Sequence, residues 1–317
     1  MTGLAAAYLA AKSGTQVTIL EASGDIGGLL QTFVVGSSRL EYFYNHHFRE
    51  DTELFWLLKE LGIEDKLKFH PTTMGIYRGG KHYNFNGPMD LLKFKPLKFL
   101  DKVRFVFTSL YLAKCAKWEE GEETSSIEWF RRFSGKSTAE CIWEPMHRIK
   151  FGDYTSVVPL TWMIGRMRQR LNSRKGTQET LGYMEGSLDT LLQAIKSRLL
   201  ALGVRIVCKA AVQEIRMTNG KVESLVAGGT EYRADKILAT LPTNVLAPML
   251  EKLVPEYAEK LKKIEYFGAV CVVLETTRPL SSIYWLNVAD PGFPFGGIIE
   301  HTNLIPQERY GRHVAYL

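Results

Sequence analysis

Cysteine is scarce in this chain, and its placement suggests neither a bridge nor a metal. The four among 317 residues, Cys115, Cys141, Cys208 and Cys271, lie far apart and lack metal-ligand spacing. They read as packing residues of a protein from a reducing, cytoplasmic compartment, with no metal expected. Long apolar runs are absent too, so nothing is long enough to cross a bilayer. The apolar start, Leu4 to Ala11, lacks the basic flank of a secretory signal and leads directly into a strand. No internal repeat, low-complexity linker or recognised nucleic-acid module is present, which argues against nucleic acid as a partner.

What is present suits a globular enzyme of two domains, since 317 residues can bury a large core. The net charge of +6 is concentrated. Between Lys81 and Lys117 stand eight basic residues against Asp90 and Asp101, enough to account for the whole excess. From Asp90 to Phe107 these cations alternate with large apolar side chains. Such a stretch, 90–117, could make peripheral contact with an anionic membrane or line the mouth of an apolar channel. An ordinary pair of amphipathic helices with a solvated face is the plain alternative.

The first 28 residues carry the strongest signal. Gly3 precedes a small-residue helix, Leu4 to Ser13, then a turn at Gly14 and an apolar strand, Gln16 to Leu20, ending on Glu21. An acid about 20 positions after a glycine-rich turn is placed to accept hydrogen bonds from an adenosine ribose. The glycine fingerprint is cut short to Met1-Thr2-Gly3, so the chain begins inside the motif and the first strand of the expected sheet is missing. Beyond Glu21, Gly27-Gly28 lets backbone approach a second part of the ligand without Cβ atoms in the way.

The stretch Glu21-Ala22-Ser23-Gly24-Asp25-Ile26-Gly27-Gly28-Leu29-Leu30-Gln31-Thr32 resembles the flavin-dependent amine oxidase superfamily, which includes protoporphyrinogen oxidase, phytoene desaturase and UDP-galactopyranose mutase relatives. Glu21, Ala22, Gly27, Gly28 and Thr32 match its pattern. Asp25 and Leu29 stand where many members carry arginine, which sets the chain apart from close amine oxidase relatives. A second block fits the same superfamily: Gly182 to Ser187, a helix Leu188 to Leu202, strands from Val204 and Ala211, a hairpin at Asn219-Gly220, and a closing strand Lys236 to Thr240 before Pro242.

The resemblance implies an α/β fold: an NAD(P)/FAD-binding Rossmann-like domain at 1–40 and 182–248, with an α+β substrate domain at 41–181 and 249–317. It implies FAD as cofactor, held by Gly3, Glu21, Ala22, Ser23, Gly27, Gly28, Leu29, Val212, Thr240 and Pro242. The superfamily's closing Gly-Asp motif has no counterpart before Leu317. A fragment lacking both ends, with weak or absent flavin binding, is therefore expected.

Catalytic residues are less defined. His46 and His47 follow the glycine-rich segment and could move a proton or bind phosphate, or serve structure through backbone bonds. Lys150 lies in Lys-Phe-Gly, which resembles a segment of bacterial protoporphyrinogen oxidase-like members; a lysine at a helix end also neutralises the carbonyl dipole. Tyr183 precedes the return to the cofactor domain. Arg166, Arg168 and Arg170 suit a diphosphate or a solvated helix face. The leading expectation is a flavin-dependent oxidoreductase acting on a hydrophobic or amine-bearing small molecule by hydride transfer to FAD. A redox-neutral flavin isomerase of the UDP-galactopyranose mutase kind and a non-catalytic remnant are the alternatives.

Overall fold

The computed structural model describes residues 1–176 and 178–317. The chain divides into two compact units: Met1–Thr32, Glu60–Ile63 and Ser187–Val270 form the first, and Phe33–Lys59, Glu64–Gly186 and Cys271–Leu317 the second.

In the first unit the helix Thr2–Lys12 buries Leu4, Ala7, Tyr8 and Ala11, the spacing of one helical face. The alanines let it pack closely on the helix Leu188–Ala201. Tyr8 is buried, and its hydroxyl donates to Glu60 Oε2 at 2.5 Å. Lys12 pairs with the same carboxylate, tying 60–63 to this unit. After a left-handed turn at Gly14, the strand Thr18–Leu20 runs parallel to Arg205–Val207, with Ile19 opposite Ile206. The helix Leu188–Ala201 is the crossover that a parallel pair requires.

A three-stranded antiparallel sheet follows, Val212–Thr218, Lys221–Ala227 and Thr230–Arg233. Its first hairpin turns at Asn219 and Gly220, with φ of 52° and 75°. That matches the tight turn expected of an Asn-Gly pair. The expected strand Lys236 to Thr240 does not form. Those residues are irregular, and among the described residues they join no ladder. Apolar composition alone makes no strand where no neighbouring backbone offers partners.

In the second unit a six-stranded sheet runs in the order Val273–Thr276, His313–Tyr316, Gly297–Glu300, Trp285–Val288, Met74–Arg78, Lys81–Asn84. All neighbours are antiparallel except Trp285–Val288 against Met74–Arg78. A smaller sheet pairs Leu67–Pro71 with Gln178–Met184. Neither strand of that pair carries a local signal in the sequence. The helical part, from Pro88–Lys93 to Leu160–Asn172, packs around Phe94, Leu112, Phe130, Trp143 and Ile164. Trp143 stacks on Phe130 at 4.1 Å and on Phe105 at 5.3 Å, contacts worth about 0.5–1.5 kcal/mol each beyond area burial.

The unit boundaries fall at 32 and 270, where the sequence reading set them at 40 and 248. The hairpin Thr32–Val35 with Ser38–Glu41 delivers Val35 and Leu40 to the second unit's core. The helices Thr243–Leu250 and Pro255–Lys262 pack on each other within the first.

Candidate active site

In the first unit, Glu21 lies just past the strand Thr18–Leu20, its amide donating to Val207 O at 2.9 Å. Its carboxylate is half-buried. Oε1 accepts from Ser23 N and Ser23 Oγ, both at 2.8 Å. Oε2 takes no hydrogen bond among the described residues and is open to ribose hydroxyls. Burial lowers the amino group of Met1 and the Glu21 charge opposes that shift, so the carboxylate sits near the start of the first helix.

Gly3 is in that first turn. A Cβ there would stand 2.9 Å from Thr240 Oγ1, so the bare glycine is what lets the 240 segment come close. Pro242 then caps the helix Thr243–Leu250. Gly27 and Gly28 both have left-handed backbone, with φ of 126° and 56°. A Cβ on Gly27 would press on Leu192 at 2.8 Å, whereas Gly28 faces open space. Ala22 and Leu29 are exposed, and Val212 begins the strand paired with Lys221–Ala227. Gly3, Glu21 and Thr240 are thus brought into one neighbourhood, and Gly27 is locked to the crossover helix. Bare backbone, an unengaged carboxylate oxygen and a helix N-terminus fit the ribose and diphosphate of FAD.

Asp25, where many superfamily members carry arginine, pairs with Lys196 at 2.8 Å. The sequence reading missed that pair because Lys196 lies on the distant crossover helix.

In the second unit, the candidate catalytic residues separate. Tyr183 is 3% exposed, and its hydroxyl donates to Glu41 Oε2 at 2.8 Å. Burial and the Glu41 charge raise its pKa far above the ordinary tyrosine value. Tyr316 donates to Glu41 O and His301 pairs with Tyr310, completing an enclosed network. Enclosure removes Tyr183 from the groups a small molecule could touch in this arrangement. His47 exchanges two backbone hydrogen bonds with Gly182 and lies 3.6 Å from Asp51, so it already has partners. Burial lowers its pKa and Asp51 pulls it back up.

His46 and Lys150 instead converge on Trp285. The His46 ring lies 5.6 Å from the Trp285 ring and Tyr44 lies 5.1 Å from it, both edge-on. Lys150 Nζ and the Arg170 guanidinium stand over that indole at 6.0 and 5.9 Å. Arg166 and Arg170, one helical turn apart on Leu160–Asn172, share a face. Arg168 points elsewhere, donating to Ala116 O and stacking on Trp118. Burial, with Arg170 and Arg166 nearby, pushes His46 down to about 3, and burial with the same arginines brings Lys150 to about 8. The histidine is therefore neutral at pH 7, whereas Lys150 can hold or release a proton near neutrality. No local signal marks Trp285 in the sequence; only the sheet places it beside Tyr44.

A parallel pair with its crossover helix, a glycine-lined turn and an acid at the strand's end define a dinucleotide-binding flavoprotein. The chain belongs to the flavin containing amine oxidoreductase family, whose model matches residues 1–310. It is accordingly a FAD-dependent oxidoreductase. Several solved structures share the fold. A provisionally assigned protoporphyrinogen oxidase from Exiguobacterium sp. 255-15 is 19% identical, with TM-score 0.73 over 99% of this chain and 74% of that one. Wild-type putrescine oxidase bound to putrescine is 16% identical, with TM-score 0.71 over 99% and 72%. Reduced UDP-galactopyranose mutase is 16% identical, with TM-score 0.66 over 100% and 71%. No curated protein matches.

Proposed function

We propose that this protein oxidises a hydrophobic small molecule, with hydride passing to FAD. The observation that carries the reading is the cluster of Tyr44, His46 and Trp285, whose rings meet edge-on and would give a substrate an apolar, aromatic wall. FAD, when bound, supplies the hydride acceptor. The chain's own part is to bind and orient. Trp285 and Tyr44 pack against the substrate and exclude water from it, neutral His46 offers a hydrogen bond, and Lys150 can take or give a proton.

An amine-bearing substrate suits this cluster poorly. A cationic amine would meet Lys150, Arg166 and Arg170, and the nearby acid, Glu179, is already bound to Arg170. The same cations favour a second reading, the redox-neutral isomerase with a sugar diphosphate substrate. Anaerobic mixing with a panel of hydrophobic C–H donors tests the first reading. Bleaching of the oxidised flavin without added reductant is expected; turnover of a sugar nucleotide only after chemical reduction would support the second.

We also propose that the helices Pro88–Lys93 and Phe99–Lys114 rest on an anionic membrane surface. Phe99, Leu100, Val106, Phe107, Leu110 and Tyr111 fall on one helical stripe and are all exposed, Phe99 at 72% and Phe107 at 69%. Thr108 and Leu112 on the opposite side are buried, so the outward face is not a polar one. Lys93, Lys95, Lys98, Arg104, Lys114 and Lys117 surround it. A second copy docked face to face would set these cations against each other, whereas anionic headgroups complement them. Among the described residues no helix is long and apolar enough to cross a membrane. Sedimentation with phosphatidylglycerol vesicles, weaker with phosphatidylcholine vesicles and lost in Phe99→Ser/Phe107→Ser, is expected. Equal sedimentation of that variant, or dimerisation that buries the stripe, would overturn the proposal.

A further inference from the structure

We infer that Lys150, Arg166 and His46 Nδ1 form a binding site for an oxyanion, a carboxylate or a phosphate, carried on an aromatic or other apolar body. This rests on the oxidoreductase reading only in taking that body to be the substrate.

Three donors gather there and none has an anionic partner among the described residues. Lys150 forms no hydrogen bond or ion pair among the described residues; its ammonium stands over the Trp285 ring, 6.0 Å away. Among the described residues Arg166 donates only to the neutral amide oxygen of Gln169, at 2.7 Å. Its guanidinium stands 6.0 Å from the Phe48 ring and 5.8 Å from that of Trp162. His46 Nδ1 is buried with no hydrogen-bond partner among the described residues. An orphaned buried polar atom beside two cations is costly unless a ligand completes it.

The acids that would neutralise a purely structural cluster are engaged elsewhere. Glu179 is held by Arg170 at 3.0 and 3.1 Å and by Ser173 Oγ at 3.1 Å. Asp51 accepts from Phe48 N at 2.9 Å and stands by His47. Glu41 is enclosed by Tyr183. Arg170 is therefore a neutralised pair, while Arg166 one turn away keeps its full charge. Burial and mutual repulsion depress Lys150 and Arg166 together, the behaviour of cations waiting for an anion. Arginine presents a planar fork of donors to an oxyanion, lysine a point charge, and the Nδ1–H tautomer of His46 a third hydrogen bond. The rings of Trp285 and Tyr44 flank the site, which places the ligand's apolar part against them.

Calorimetric titration of the full chain tests this without flavin turnover. Inorganic pyrophosphate and benzoate serve as anionic probes, and benzylamine as the cationic counterpart. Binding of at least one anion is expected, weakened about tenfold or more by Lys150→Gln and by Arg166→Gln and unchanged in Arg148→Gln, an exposed neighbour on the same helix. Tighter pyrophosphate binding identifies a phosphate ligand and tighter benzoate binding a carboxylate; either supports the site. Lys150 as a whole residue keeps surface exposure at its helix end while protein crowds its ammonium, so its variant carries the test if Arg166→Gln fails to fold by circular dichroism. No anion binding, anion affinities indifferent to Lys150→Gln, or benzylamine bound more tightly than benzoate would each overturn the inference. Failure of the hydride-transfer reading is scored separately, by flavin bleaching.

Discussion

Arg170 lies 3.0 Å from the buried carboxylate of Glu179, and that single pairing distinguishes it from Arg166 one turn earlier. Glu179 also receives Ser173 Oγ, but that hydroxyl reaches Arg170 O as well, so removing the acid strands the guanidinium alone. Glu179→Ala is expected to cost about 2–3 kcal/mol, less than a fully buried pair because Arg170 keeps some contact with water. Urea denaturation measures it. Stability equal to the wild type would mean that solvent already screens the pair.

Lys150 gives a pH-dependent expectation with a definite sign. Burial and the adjacent arginines lower it from 10.5 to about 8, while its neighbours Tyr44 and His46 are uncharged at pH 7 and Glu179 is committed to Arg170. The cation is thus disfavoured in the folded state. The unfolded chain binds the extra proton between pH 8 and 10.5, so the Lys150 contribution to stability is a penalty below pH 8 that is relieved as pH rises through this window. Lys150→Met should remove that relief, seen as a flatter stability profile over pH 8–10.5. Anion affinity should move oppositely, falling in the wild type as pH passes about 8 and showing no such step in the variant.

Tyr183 separates structure from chemistry. Its hydroxyl donates to Glu41, a carboxylate with no exposure to water. Tyr183→Phe deletes one donor to a buried charge and should destabilise the fold by about 1–3 kcal/mol. Substrate oxidation at a temperature where the variant is folded should be unchanged. A large loss of kcat in a folded variant would return Tyr183 to the reacting groups.

Local chemistry made part of this fold legible. Gly14 and Asn219-Gly220 adopt the left-handed turns that glycine and asparagine permit, and the elements flanking them form as their sequences predict. The alanine-rich helix Thr2–Lys12 and Glu21 beyond its strand were legible for the same reason. Pairing across long sequence separations was not. Leu67–Pro71 and Gln178–Met184 are unremarkable runs until they meet, and Lys236–Thr240 has strand-like composition but gains no ladder. Lys150, His46 and Arg166 were visible as single residues, but their grouping depends on Trp285, which the six-stranded sheet brings to them.

Glu21 is the residue on which cofactor retention should turn. One of its oxygens is fixed by Ser23 and orients the carboxylate, leaving the other for the ligand. A ribose held by a charged acceptor gains about 1.5–3 kcal/mol per hydrogen bond. Glu21→Ala should therefore weaken FAD binding about 10- to 100-fold, read by quenching of flavin fluorescence as the protein is titrated. Glu21→Gln, which keeps the shape without the charge, should fall between that variant and the wild type. Asp25→Ala breaks the surface pair with Lys196 and the bond from Ile26 N, neither of which involves Glu21, and should leave affinity within about twofold. FAD affinity unaffected by Glu21→Ala would place the ribose away from this strand end, and with it the assignment of Gly3 and Thr240 to the same ligand would fall.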